Sequence, residues 1–249
     1  MDNFLSYQEL KVASYAGKVA AKIIKEIKRI IKPGITTKDI ELFFEKEISK
    51  YPEMESAFKG YKGFPASLCV SVNEEVIHGI PSKEKILKEG DLVSVDLGIK
   101  YKGLFVDTAF TYLVSKTSSL AKKLVKVCKK ALMEGIKKIK VGRKIGDISC
   151  AIQRCVEREG FSVIRSFVGH GIGKELHLPP EVPNFGEENT GETLIEGMVL
   201  AIEPMIAAGN HCIEFLKDGW TVKTKDNSLT SHFEHTVAVT KKGAWILTQ

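Results

Sequence analysis

The sequence predicts an α+β fold made of two similar halves with a mainly antiparallel sheet. Helical patterns precede strand patterns in each half, and successive strands form hairpins instead of alternating with helices. In addition, EGDLVSVDL (Glu89 to Leu97) matches EGMVLAIEP (Glu196 to Pro204) at a constant offset of 107 residues. This match sets Asp96 against Glu203.

Two further matches support an internal repeat. VDTAF (Val106 to Phe110) resembles FEHTV (Phe233 to Val237), which sets Asp107 against Glu234. Upstream, at an offset of 108 residues, the pairs Lys32/Gly34 and Asp39/Ile40 recur as Lys140/Gly142 and Asp147/Ile148. No linker or low-complexity tract divides the chain. We therefore expect one pseudo-twofold domain, residues 1–249, with halves of approximately 1–115 and 116–249.

The composition is that of a soluble globular protein of 249 residues, 43% hydrophobic and 27% charged. Its net charge of +6 is compatible with a weak affinity for an acidic partner such as ribosomal RNA, although solubility explains it equally well. Five dispersed cysteines without a C-x-x-C pair argue against a disulfide framework or a zinc ribbon. With no membrane span and no signal peptide in MDNFL (Met1 to Leu5), a cytoplasmic location is expected.

The first half is expected to contain two helices and then strands. SYQE (Ser6 to Glu9) is a capping box that opens a long helix, which Pro33-Gly34 ends. A second helix starts near Thr36-Thr37 and runs toward Tyr51-Pro52. The predicted strands are Ser67 to Val72, Val76-Ile77, and a hairpin of Asp91 to Ile99 with Leu104 to Val114.

The second half repeats this order. A basic amphipathic helix is predicted from Ser118 to Ile139, followed by a shorter helix from Ile145 to Arg158. The predicted strands are Phe161 to Ile164, Met198 to Ala207, Thr221 to Lys223 and Phe233 to Val239.

Asp96 and Asp107 are the first candidate metal ligands. If the hairpin turns through Tyr101-Lys102, the two aspartates form a direct cross-strand pair with Cβ atoms about 4.5–5.5 Å apart. Facing carboxylates with apolar neighbours repel each other unless a cation lies between them. The alternative is that one of them caps a turn.

Three more candidate ligands come from the second half. Glu203 and Glu234 lie in apolar, strand-like runs, where the alternative is an exposed position on an edge strand. His170 lies in GHGIG (Gly169 to Gly173), which we expect to be a flexible loop. Four carboxylates and one imidazole favour two divalent ions of Mn, Fe, Co or Zn. A bridging water or hydroxide in such a site is a nucleophile at neutral pH.

Two histidines recur before proline-containing turns. His78 lies in IHGIP (Ile77 to Pro81) and His177 in LHLPP (Leu176 to Pro180), one in each half. A donor aimed at a developing oxyanion contributes roughly 3–4 kcal/mol to catalysis, so a positioned imidazole is a catalytic candidate. A structural histidine with satisfied hydrogen bonds is the alternative for each.

Together these motifs resemble the type I methionine aminopeptidases, in their short bacterial form. The resemblance covers nearly the whole chain from about Ser6. The matching stretches are KPGITT (Lys32 to Thr37), GFPASLCVSVNEEVIHGIP (Gly63 to Pro81), DLG (Asp96 to Gly98), DTA (Asp107 to Ala109), GHGIG (Gly169 to Gly173), Glu203-Pro204 and EHT (Glu234 to Thr236). It implies the pita-bread fold, in which helices cover a curved, mainly antiparallel sheet.

The resemblance also implies roles for the metal ligands. Asp107 and Glu234 would each bridge two metal ions, Asp96 would chelate one of them, and His170 and Glu203 would bind the other. Glu203 would also be the proton shuttle.

Further roles concern the substrate. His78 would contact it near the scissile bond, and His177 would hold the carbonyl oxygen as it becomes negative. Tyr61, Phe64, Cys69 and Trp220 fall where the family binds the methionine side chain, although each is equally compatible with an ordinary core position. Phe58 departs from the family, in which a small residue or cysteine is common, and this puts the finer shape of that pocket in doubt.

The expected function is that of a cytoplasmic metallo-aminopeptidase, which removes the initiator methionine from nascent proteins whose second residue is small. One rival is a proline-specific aminopeptidase or dipeptidase of the same fold, which normally carries an additional N-terminal domain. The other is a non-catalytic relative that binds RNA or protein.

The expected partners are nascent polypeptide N-termini and, transiently, the ribosome. KKLVKVCKK (Lys122 to Lys130) is the candidate ribosome surface, with a plain solvated helix face as the alternative. We expect a monomer with no DNA and no membrane partner.

Overall fold

Four helices begin and end close to the residues that the sequence predicts, in a computed structural model that describes residues 4–249. They are α1 (Tyr7–Ile30), α2 (Thr37–Ile48), α3 (Ser119–Ile136) and α4 (Ile145–Glu157). Residues 1–3, which belong to the segment examined for a signal peptide, lie outside the described residues. Among residues 4–249, no helix is long and apolar enough to cross a membrane.

The helix starts carry the repeat that the sequence predicts. At α2, the Asp39 carboxylate accepts a hydrogen bond from the Thr36 amide (2.8 Å), and at α4 the Asp147 carboxylate accepts one from the Lys144 amide (3.1 Å). The amides of Gly34 and Gly142 donate to equivalent carbonyl groups, those of Leu87 and Leu194, both at 2.9 Å. These bonds at matching offsets support the proposal that the chain consists of two similar halves.

Residues 4–249 contain fifteen strands in four sheets, and the strands pair antiparallel, as expected. The strands are β1 (Met54–Ser56), β2 (Cys69–Val72), β3 (Glu75–Ile77), β4 (Leu92–Tyr101), β5 (Leu104–Leu113), β6 (Ser162–Val163), β7 (Gly169–Gly171), β8 (Leu178–Val182), β9 (Val199–Ile202), β10 (Met205–Ala207), β11 (Ile213–Phe215), β12 (Val222–Thr224), β13 (Thr230–His232), β14 (His235–Thr240) and β15 (Gly243–Ile246). In the first sheet, β4 pairs with β1, β2 and β5. The second has the order β15-β14-β9-β7-β8. Two smaller sheets have the orders β13-β10-β6 and β11-β12-β3.

The predicted register of the β4-β5 hairpin is wrong, because the turn lies one residue later than predicted and each residue of β4 faces a partner two residues further along the chain. The turn residues are Lys102 and Gly103, with φ of 50° and 76°, whereas Tyr101 still pairs within the sheet. A two-residue hairpin turn with positive φ at both positions favours glycine, which only the observed turn contains. Asp96 therefore faces Ala109, and Asp107 lies diagonally on the same face of the sheet.

One predicted strand, Met198 to Ala207, is interrupted at a candidate ligand, and another, Phe233 to Val239, begins only after one, at His235. Between β9 and β10, Glu203 and Pro204 leave the ladder, because proline has no amide hydrogen to donate. Between β13 and β14, Phe233 and Glu234 do the same. The expectation that both glutamates lie within strands was therefore wrong, because each one is at a break.

The apolar cores explain which face of β4 is free for chemistry. Helix α1 packs on β4 and β5, and its buried residues share one apolar cluster with Val95 and Leu97. Because successive side chains of a strand point to opposite faces, Asp96 lies on the face of the sheet that is turned away from α1. Helices α3 and α4 pack on each other in a second cluster, and α3 also contacts β10 and β13.

Candidate metal centre and active site

One pocket contains every side chain that the sequence predicts for the site. It is lined by Phe58, Tyr61, Lys62, Phe64, Cys69, His78, Asp96, Asp107, His170, Leu176, His177, Glu203, Trp220 and Glu234. Two of these residues, Lys62 and Leu176, were not predicted from the sequence. Their only signal was local, because each directly neighbours a predicted residue.

His170 is held by regular structure, and the expectation of a flexible loop was wrong. It lies in β7, paired with Ala201 of β9, which brings it close to Glu203. The flanking glycines allow close packing of backbones. A Cβ atom on Gly169 would lie 2.3 Å from the Ala201 carbonyl oxygen, and one on Gly171 would lie 2.3 Å from that of Pro179. The imidazole is therefore presented from a rigid support.

The five candidate metal ligands come together. Asp107, His170 and Glu234 each offer a ligand atom within 4.8 Å of the others. Nε2 of His170 is 3.4 Å from Oε1 of Glu203. Asp96 joins through its carboxylate, which lies close enough to that of Asp107 to share a hydrogen bond when one of them is protonated. The group combines two carboxylates from the first half with two carboxylates and an imidazole from the second.

The electrostatics of this group call for a cation. Burial raises the pKa of Asp107 to about 7. Burial, and then the neighbouring carboxylates, raise the pKa values of Asp96, Glu203 and Glu234 well above the ordinary range. Oδ1 of Asp96 and Oε1 of Glu234 are buried without a hydrogen-bond partner among the described residues. Such oxygens are satisfied by bound metal, so the residues present fit divalent ions.

Two threonines join the halves at the ligands. The Thr236 hydroxyl accepts a hydrogen bond from the Asp107 amide and donates one to the Asp107 carbonyl, both at 2.8 Å. In return, the Thr108 hydroxyl donates to the Glu234 carbonyl at 2.9 Å. Both threonines lie in the matching motifs VDTAF and FEHTV, but no role for them could be predicted from the sequence. Each one fixes the backbone of a ligand from the other half.

The two predicted histidines lie on the pocket wall with neutral rings. Burial lowers the pKa of His78 to about 4, and its backbone has an unusual φ of 57°. Burial, and then nearby charge at His170, lower the pKa of His177 to about 3. Nδ1 of His177 is 3.0 Å from the Tyr61 hydroxyl oxygen. When that hydroxyl donates to Nδ1, the ring hydrogen is on Nε2 and available as a donor.

The remaining part of the pocket is apolar. Phe64 and Trp220 meet edge to face, with ring centroids 5.2 Å apart. Cys69 is buried beside them, and burial raises the pKa of its thiol well above the ordinary value, so the thiol stays neutral. Phe58 packs on Gly98, where an added Cβ would lie 2.7 Å from its ring. Rings and a thiol form a surface that suits a polarisable, unbranched side chain.

Comparisons of sequence agree with this chemistry. The model of metallopeptidase family M24 matches residues 12–241. The chain is 47% identical to a methionine aminopeptidase of Clostridium acetobutylicum over 240 residues, which are 96% of each chain. It is likewise 47% identical to methionine aminopeptidase 1 of Bacillus subtilis, over 97% of each chain.

Comparisons of structure also find a methionine aminopeptidase, together with more distant proteins of the same fold. The methionine aminopeptidase of Thermotoga maritima matches with a TM-score of 0.98 and 46% identity, over 100% of both chains. A prolidase of Pyrococcus horikoshii shares the fold with a TM-score of 0.79 and 23% identity, and the match covers 64% of its longer chain. The predicted α+β pita-bread fold is thereby confirmed.

Proposed function

The chain belongs to the methionine aminopeptidases of metallopeptidase family M24, and we propose that it removes the initiator methionine from nascent proteins whose second residue is small. Methionine removal by a metal-dependent hydrolase is supported across the whole chain by relatives that are 44–47% identical. The preference for substrates with a small second residue is the part of the proposal that goes beyond this activity.

One observation carries the proposal. The acidic cluster and the aromatic surface line the same pocket. A substrate whose first side chain packs against Phe64 and Trp220 therefore places its first peptide bond near the carboxylates. Cleavage after a single apolar residue follows from this arrangement.

We assign five residues to the metals: Asp96, Asp107, His170, Glu203 and Glu234. Their four carboxylates balance the charge of two divalent ions, and oxygen with one nitrogen suits Mn, Fe, Co or Zn. When bound, the ions would hold the free α-amine, polarise the scissile carbonyl and lower the pKa of a water molecule.

The remaining steps belong to side chains of the pocket. Nε2 of His177 donates to the carbonyl oxygen as it becomes negative, and Tyr61 fixes the tautomer that this requires. Glu203 accepts a proton from the attacking water and passes it to the leaving amine. His78 steadies the departing nitrogen.

Methionine release tests the proposal. Metal-stripped protein would be supplied separately with Mn, Fe, Co and Zn and assayed on a Met-Ala-Ser peptide, beside Glu203→Ala. Glu196→Ala is the matched control, because Glu196 is an exposed glutamate close in sequence. We expect metal-dependent release that Glu203→Ala abolishes and Glu196→Ala leaves intact.

The same assay separates the rivals. Cleavage of an Ala-Pro peptide but not of Met-Ala-Ser would replace the proposal with a proline-specific activity. Silence on both peptides despite metal binding would replace it with a binding protein.

Partners and location remain part of the proposal. Nascent chains, a monomeric state and the cytoplasm fit this function. The ribosome surface proposed on α3 presents exposed Lys122, Lys126, Lys129 and Lys130, while Lys123 pairs with Glu159 at 3.2 Å. The buried side chains of α3 face inward, so these lysines are exposed to RNA phosphates, and Nζ of Lys129 also lies 5.4 Å from the centroid of the Phe110 ring.

A further inference from the structure

His232 is a buried imidazole that the reaction described above does not use. It ends β13, is 2% exposed, and does not line the pocket. Its Nε2 atom has no hydrogen-bond partner among the described residues. Because buried polar nitrogens are nearly always paired, this atom points to an interaction that forms in the working site.

The nearest acidic group to Nε2 of His232 is the Glu203 carboxylate. Oε2 of Glu203 is 3.8 Å away, while Oε1 of the same carboxylate is 3.4 Å from Nε2 of His170. Glu203 therefore lies between two imidazole nitrogens, one at each oxygen. The gap at Oε2 is longer than an N–H···O hydrogen bond, and a small rotation of the carboxylate closes it.

The backbone of His232 is held in place from two sides. Its amide donates to the Thr111 hydroxyl at 2.9 Å, and that hydroxyl donates to its carbonyl at 2.8 Å. Across the sheet, His232 pairs with Met205, two residues after Glu203. The ring is thus carried by β13, and the carboxylate lies two residues before β10, the strand that pairs with β13, which limits how far they can move apart.

We propose that His232 is a positioning residue that holds the Glu203 carboxylate by donating from Nε2 to Oε2. With Oε2 held, Oε1 is directed toward the metal position beside His170. A neutral imidazole has a single ring hydrogen, and the proposed contact requires it on Nε2. Its effect on catalysis rests on the proposed function of Glu203, whereas its effect on metal binding does not.

Two amide variants separate this role from packing. In H232Q the side-chain nitrogen reaches about as far from the backbone as Nε2 of histidine, whereas in H232N it stops short. Loss of a residue that orients a metal ligand typically costs about 10–100-fold in metal affinity or activity. We expect H232N to lose Mn²⁺ affinity and kcat in that range with KM little changed, and H232Q to retain both.

Calorimetric titration with Mn²⁺ and methionine release from Met-Ala-Ser provide the two readouts. H211Q, in a loop outside the pocket, is the matched control. Wild-type values in H232N would overturn the inference, and so would equal losses in H232N and H232Q, because these would indicate packing alone. If the wild-type protein binds Mn²⁺ but releases no methionine, the proposed function fails, and the affinities still decide the role of His232.

A measurement on the unaltered protein covers the case in which the variants do not fold. In ¹⁵N-labelled wild-type protein, the imidazole resonances report which ring nitrogen carries hydrogen. The inference requires hydrogen on Nε2 of His232 in the metal-loaded state. Hydrogen on Nδ1 alone would overturn it.

Discussion

Thr236→Val tests whether the halves hold each other's metal ligands. The substitution keeps the shape of a fully buried side chain and removes the hydroxyl that bonds both the amide and the carbonyl of Asp107. Each buried backbone group left unpaired costs about 1–3 kcal/mol. Two such groups, combined less than additively, cost about 2–4 kcal/mol.

For a chain of this length, that loss lowers the melting temperature by about 4–16 °C. Thermal unfolding of metal-free protein measures it without any contribution from bound metal. Mn²⁺ affinity should also fall about 10–100-fold, because the Asp107 backbone is no longer fixed. Thr240→Val is the control, because its hydroxyl bonds the Gly243 carbonyl at the far end of the β14-β15 hairpin. A Thr236→Val protein that melts and binds Mn²⁺ like wild type would refute the reasoning.

Three further predictions concern the pocket and the surface. The pKa of Asp107 is about 7 in the folded protein and lower in the unfolded chain, so this group makes metal-free protein less stable as pH rises from about 4 to 7. Melting curves measured across this pH range should show the decline. Added Mn²⁺ should reverse it, most strongly at the high end of the range. Tyr61→Phe removes the hydrogen bond to His177, so kcat should fall about 5–10-fold while the melting temperature stays unchanged. A kcat equal to that of the wild-type protein would contradict the assigned tautomer of His177. Replacing Lys126 and Lys129 with glutamate should weaken ribosome cosedimentation at low salt without changing peptide cleavage, whereas unchanged cosedimentation would favour a plain solvated face.

The helices could be predicted from the sequence because their signals are local, and the candidate ligands because short motifs recur at a constant offset. The capping residues Ser6 and Thr36 stand beside the helices that they open, and both helices are confirmed. Asp96 and Asp107 were correctly expected on one face of the sheet. The turn lies one residue later than predicted, which shifts the partner of each residue by two positions and therefore keeps the same face.

Long-range packing could not be predicted in the same way. The glycines around His170 look flexible in sequence, but they serve the close approach of β8 and β9, which are distant along the chain. Short strands such as β7 and β13 are too brief to show a period of two. The role proposed for His232 could not be predicted from the sequence, because only the fold brings its Nε2 atom close to Glu203.

The bonds between the halves explain how four acidic groups can be gathered before metal arrives. Glu234 and Asp107 are fixed through backbone groups and neutral threonine hydroxyls, so no cation is needed to hold the strands together. Without metal, the carboxylates avoid mutual repulsion by retaining protons, as their raised pKa values indicate. Metal binding must then displace those protons. Calorimetry of Mn²⁺ binding in two buffers of different ionisation enthalpy, near pH 6, should therefore report net proton release. A binding enthalpy that is independent of the buffer would mean that the carboxylates are already ionised, and that some other charge balances them.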